Sequence, residues 1–177
     1  MMQTTAQGMT RTAKDWIEAL GLLPHPEGGY YREMLRSRDR INLPDGRERV
    51  CYTSIYFLLT NENPSRFHRL KSDEVWYFHA GAALTVHCLT PGGYDHIRLG
   101  PEPEHGEVLQ ACVPKGAVFG ATVDAVGAFA LVSCMVSPGF EFEDFELADQ
   151  AELLAAHPRH HAIIRRLARR GSDAPGK

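Results

Sequence analysis

Within Ser65–Gly81, SRFHRLKSDEVWYFHAG, an imidazole and a carboxylate are separated by five residues, His68 and Glu74. If Lys71–Asp73 forms a hairpin turn, the flanking strands lie side by side and both side chains face one hollow. A neutral imidazole beside a carboxylate can take or give a proton next to a carbonyl carbon. The same two groups are half of a metal site. In an apolar barrel the Glu74 carboxyl is desolvated and its pKa rises, and a neighbouring imidazolium opposes that rise. The period of two along a strand puts Trp76 and Phe78 on the face of Glu74 and turns His79 the other way. Trp76, Phe78, Phe119, Tyr56 and Tyr77 are candidates for walls that stack on a ring, with plain core packing as the competing use.

A second polar segment precedes this one. In HPEGGYYREMLRS, His25–Ser37, the backbone geometry of a turn accounts for Gly28 and Gly29. Tyr31, Arg32 and Glu33 are more than a turn requires. Arg32 or Arg66 can clamp a carboxylate or phosphate with its two-pronged guanidinium. A salt-bridged strand surface is the other reading of these residues.

The spacing of His68, Glu74 and Gly81 resembles the first cupin motif, with Leu70 where that motif has its second histidine. Val113-Pro114-Lys115-Gly116-Ala117-Val118-Phe119 resembles the second motif, with Phe119 in place of its histidine. Two of the four usual metal ligands are thus replaced by apolar residues. A wider likeness runs from about Thr10 to Arg170. HPEGGYYRE, TSIYFLL, SRFHRLKSDEVW, VPKG and SPGFEFEDFELAD, in that order, resemble the uncharacterised cupin subfamily called DUF985 or cupin-5. The resemblance implies an all-β jelly roll (a double-stranded β-helix) with short helices at both ends, and a homodimer. In such a dimer the early strand can cross to the second subunit. The family brings no settled reaction, only a suggested sugar-binding or epimerase-like role by structural analogy.

The elements that must position these groups are legible in outline. The length of 177 residues fits one domain, read as residues 10–170, with a disordered stretch 1–9 and a flexible tail 171–177. Thr12 and Asp15 begin a helix carrying Trp16, Ile17 and Leu20, and Gly21 ends it. Tyr30–Leu35 and Tyr52–Thr60 read as strands, the latter buried on both faces. Short apolar segments then follow one another to Val136 without an intervening helical pattern, which excludes a βαβ architecture. Phe140 and Phe142 alternate with acids as in an edge strand. Asp149 and Glu152 cap a tail helix, Pro158 opens another with Ile163, Ile164 and Leu167 on one face, and Gly171 closes it.

Charge and cysteine usage narrow the classes. A net charge of −3 argues against a nucleic-acid partner, and the basic residues from Arg159 to Arg170 read as a solvated helix face. The longest nearly apolar run, Val126–Val136, is too short to span a membrane. No secretory signal is evident, and the four scattered cysteines, without a C-x-x-C pair, read as buried, reduced thiols of a cytoplasmic protein. The expectation is a pocket for a small polar organic ligand, a sugar or nucleotide-sugar. His68 and Glu74 are its acid–base pair, Trp76, Phe119, Tyr56, Phe78, Arg32 and Tyr31 its lining, and no metal is expected. Enzyme or binder is left open. The alternatives are a metal-dependent isomerase or dioxygenase with a reduced ligand set, and a non-catalytic ligand sensor.

Overall fold

Strands that are apolar on both sides need partners on both faces, and the chain supplies them with two sheets. The computed structural model describes residues 11–169. Strands in chain order are β1 (Leu23–Pro24), β2 (Tyr30–Arg36), β3 (Arg40–Asn42), β4 (Glu48–Val50), β5 (Thr53–Thr60), β6 (Ser65–Leu70) and β7 (Asp73–Gly81). Then come β8 (Leu84–Thr90), β9 (Gly93–Leu99), β10 (Gln110–Val113), β11 (Val118–Val123), β12 (Phe129–Ser137) and β13 (Phe145–Leu147). One sheet has the order β1-β2-β5-β12-β7-β10 and the other β13-β6-β11-β8-β9; β3 and β4 form a separate hairpin.

The core lies between the sheets. Phe57, Leu59, Trp76, Val132 and Val136 from the first meet Leu84, Val86, Phe119 and Ala121 from the second. Helix α1 (Ala13–Leu20) packs Trp16 and Ile17 over Leu58 and Leu131 on the outer face of the six-stranded sheet. Its capping box is complete: Asp15 N–H donates to Thr12 Oγ1, and Thr12 N–H donates to the Asp15 carboxylate. Gly21 closes it at φ 62°. Helices α2 (Gln150–Ala156) and α3 (His161–Leu167) cover the outer face of the other sheet through Leu153, Ile164 and Leu167. Asp149 caps α2 by accepting from Ala151 and Glu152 N–H. Pro158 opens a separate 3-10 turn, Pro158–His160, ahead of α3.

Three expectations are corrected. β6 and β7 do not form a hairpin. The short link between them is a corner from one sheet to the other, because β12 supplies β7 with a nine-residue partner while β11 and β13 flank β6. Phe140–Phe142 is not an edge strand. A 3-10 turn, Phe142–Asp144, intervenes, and the edge strand is β13. Leu43-Pro44-Asp45-Gly46, a turn signal in the sequence, forms the tip of the β3–β4 hairpin. Not every cysteine is buried: Cys112 lies on the outer side of edge strand β10 and is exposed. The expectations for residues 1–9 and 171–177, Gly171 included, lie outside the described residues. Among those described, no helix is long and apolar enough to cross a membrane.

The hairpin is moored to the segment between β12 and β13. Asp144 accepts from Arg47 Nη1 at 2.6 Å and from Arg49 Nε at 2.7 Å, with Lys71 Nζ at 3.6 Å, and Arg49 also pairs with Glu143. Burial pushes the Asp144 carboxyl up, but the two guanidinium groups outweigh it and hold it below the ordinary value. Asp144→Ala leaves the buried Arg49 without its main partner. It is expected to speed limited proteolysis within the β3–β4 hairpin and lower the melting temperature; unchanged cleavage would show that the mooring is not electrostatic.

Candidate functional site

A cavity of about 150 Å³ opens between the sheets at the end where β2, β5, β6, β7 and β12 meet. Its depth is polar. The turn His25-Pro26-Glu27-Gly28-Gly29 between β1 and β2 is closed by Gly28 N–H to His25 O (3.0 Å) and His25 N–H to Gly29 O (3.1 Å). Arg66 N–H donates to Glu27 O at 2.8 Å and ties the turn to β6. This drives the Glu27 side chain inward, where Ser65 Oγ–H donates to Oε1 at 2.8 Å. Glu27 Oε2 then stands 3.3 Å from Nε2 of His68. Glu74 enters from the opposite sheet. Its Oε2 accepts from Trp76 Nε1–H at 3.1 Å, and the Cys134 thiol also bonds to it.

The state of His68 follows from its other nitrogen. Nδ1 lies 2.7 Å from the carbonyl of Arg66, which can only accept, so Nδ1 carries a hydrogen. In the neutral ring Nε2 then carries a lone pair, 3.3 Å from Glu27 Oε2. Burial pushes the Glu27 carboxyl up to about 8, with the Ser65 bond opposing, and pushes the His68 imidazole down, with Glu74 opposing. Both directions favour a protonated Glu27 beside a neutral His68 ring. Burial likewise raises Glu74 to about 7, reinforced by the nearby Glu27. His25 is lowered to about 4, by burial first and then by His68. The result is two buried carboxylic acids, Glu27 and Glu74, poised near neutrality beside neutral imidazoles, as in acid–base sites.

Of the residues picked out in the sequence, His68, Glu74 and Tyr31 line the cavity. Tyr31 meets His25 edge-on, with ring centroids 4.6 Å apart. Trp76 and Phe119 stand behind it, fully buried: Trp76 holds Glu74, and Phe119 packs on the His68 ring at 4.2 Å. Phe78 packs against the core but does not reach the cavity. Arg32 and Tyr56 face the other way. Strand alternation that turns Tyr31, Glu33, Ile55 and Phe57 inward sends these two to the outer face, where Arg32 donates to Leu20 O at 2.9 Å and Tyr56 packs near α1. His79 is also on an outer face, 2.6 Å from Ser133 Oγ. So is His87, between Tyr94 OH (2.8 Å) and Thr122 Oγ1 (3.0 Å).

Sequence reasoning missed His25 and Glu27, and the mouth formed by Arg36, Phe140, Glu141 and Phe142. The signal for Glu27 was present: a carboxylate locked between Pro26 and two glycines has little backbone reason to be there. The mouth residues come from a segment 105 positions away from Arg36 in sequence, and carry no local mark.

The donor set does not suit a cupin metal. Leu70 and Phe119 hold two of the four positions, Nε2 of His68 is faced by Glu27 Oε2 at 3.3 Å, and Glu74 is bonded to an indole N–H. Among the described residues no group of three His, Cys, Asp or Glu side chains is arranged around a common metal position.

An antiparallel double sheet with an interior polar site and helices outside is the architecture of a cupin. Residues 14–148 match the Cupin_5 family of the cupin superfamily (DUF985), and the chain belongs to that family. It is similar to a hypothetical protein from Leishmania major (44% identity, 89% of this chain and 99% of the other, TM-score 0.84). A protein from Shewanella oneidensis is as close (45% identity, 91% and 99%, TM-score 0.83). An uncharacterized protein of Saccharomyces cerevisiae is 29% identical over 81% of this chain and 76% of its own.

Proposed function

We propose that the cavity binds a small polar organic molecule and that Glu27, His68 and Glu74 move a proton on it, in the manner of an epimerase or isomerase and without a metal. One observation supports this most: the 3.3 Å contact of Glu27 Oε2 with Nε2 of an imidazole whose Nδ1 hydrogen is fixed by a backbone carbonyl. The pair is a donor and an acceptor in the same cavity, and protonated Glu27 and neutral His68 are the forms burial favours. Glu74 supplies a second carboxyl on the facing wall. A ligand C–H placed between them can lose its proton to one wall and regain it from the other, which inverts the carbon.

The test is capture followed by exchange. Protein equilibrated with a metabolite extract and desalted should retain an adduct in native mass spectrometry. In deuterated water that adduct should gain a carbon-bound deuterium with the natural protein. With His68→Ala the exchange rate should fall by about 10²-fold or more, the usual weight of a positioned acid–base group. An adduct that persists and exchanges at full rate in His68→Ala, with the fold intact by circular dichroism, overturns the assignment.

A further inference from the structure

We infer that the ligand of this cavity is a small organic cation, an ammonium-bearing ring or chain, and that carboxylates and phosphate esters are turned away. The inference rests on the pocket reading above and names its ligand class. Four carboxyls line the cavity, Glu27, Glu33, Glu74 and Glu141, against one guanidinium, Arg36. That guanidinium is already engaged. Its Nε and Nη2 donate to the two oxygens of Glu33 at 2.9 Å, and Nη1 donates to Glu141 Oε1 at 2.8 Å. An incoming anion would have to break a two-acid clamp to win it.

The depth offers an anion nothing either. Glu27 is faced by His25, Ser65, His68 and Glu74; Glu74 is faced by Glu27, His68, Trp76 and Cys134. No lysine or arginine pairs with either carboxyl in the ion pairs of the described residues. A bound ammonium would supply the missing countercharge, and charges at contact in a water-poor cavity interact far more strongly than in bulk. The rest of the wall suits the same guest. Tyr31, Phe57, Phe140 and Phe142 present aromatic rings, whose faces attract cations. A nucleotide-sugar, with its diphosphate, is the wrong member of the polar ligands considered from sequence. A cation seated here also favours the ionised form of Glu74, which then serves as the base facing protonated Glu27, so binding releases protons to solvent.

Three probes of one shape and different charge test this at pH 7: cyclohexylammonium, cyclohexanol and cyclohexanecarboxylate. The Trp76 indole N–H resonance reports arrival at Glu74, with Trp16 on α1 as the internal control. Cyclohexylammonium should shift Trp76 and bind about tenfold or more tighter than the carboxylate. Calorimetry in two buffers of different ionisation enthalpy should show net proton release. Equal or tighter binding of the carboxylate overturns the inference, as does ammonium binding without proton release. If cyclohexanol or the carboxylate moves Trp76 while the ammonium does not, the pocket stands and its charge preference falls. If none of the three moves Trp76, both readings fall.

Discussion

Gly28→Ala is expected to destabilise the protein by about 3 kcal/mol or more and to dismantle the polar depth of the cavity with it. Two costs add. At φ +112° the backbone is in a region that side chains rarely adopt, and a Cβ there would lie 2.0 Å from the carbonyl oxygen of Pro64. That oxygen belongs to backbone, so no rotamer change relieves the overlap. The turn cannot slide away, because Arg66 N–H holds Glu27 O on the far side. Either the turn or the start of β6 must move, and Glu27 and Ser65 sit on those two pieces. Gly46→Ala is the control. Gly46 has φ +85° but nothing within 4 Å of its added Cβ, so it carries only the conformational cost, about 1 kcal/mol. Urea denaturation of both variants separates the two. Equal losses would mean that the approach to Pro64 relaxes at little cost and that the turn is not a rigid mount for Glu27.

The sequence carries the site only as far as local pattern reaches. Alternation along β7 places Glu74 and Trp76 together, and the Thr12–Asp15 and Asp149 caps mark their helices, because these are relations between near neighbours. The facing of His68 and Glu74 is a different kind of fact. Both do line one hollow, yet they come from opposite sheets, and the hairpin expected to join them is a corner. A two-residue link looks the same in either case. What decides is the competition for β7, won by the nine-residue β12 from over fifty positions downstream. The errors over Arg32 and Tyr56 are face errors on strands whose polarity does not alternate, since the outer face is covered by α1 and is as apolar as the inner. Glu27 was hidden for a third reason. It is a turn residue, and turns are ordinarily on the surface; only the three-dimensional path folds this one under β6.

Glu27 also gives the clearest separation of hydrogen bond from proton. Its folded pKa is raised to about 8 from an unfolded 4.5, so between these values the folded state holds a proton that the unfolded chain has lost. The stability this contributes is complete below about pH 4.5 and is lost as pH rises through about 8. Glu74, raised to about 7, acts in the same direction. The buried histidines act oppositely. His25 and His87, each lowered to about 4 from 6.5, cost stability as pH falls across that interval, because there the unfolded chain takes up protons that the folded state refuses. Between about pH 4.5 and 6.5 the two acids and the two histidines offset one another, so stability should stay near level there, decline above about pH 6.5 and decline again below about pH 4.5. Glu27→Gln should flatten the alkaline decline. The amide carbonyl still accepts from Ser65 and the amide N–H takes the place of Oε2 beside Nε2 of His68, but no proton can be lost. Glu27→Ala removes both partners as well as the proton, so it should cost about 1–3 kcal/mol more than Glu27→Gln at every pH. Denaturation curves at pH about 5, 6.5 and 8 measure all three proteins. The amide variant should nevertheless lose deuterium exchange on the captured ligand, since it reproduces the hydrogen bond and not the acid. A Gln variant whose stability falls with alkali as steeply as the natural protein's would place the titrating proton elsewhere. One that exchanges deuterium at the natural rate would remove Glu27 from the proton path while leaving it as a structural strut for His68.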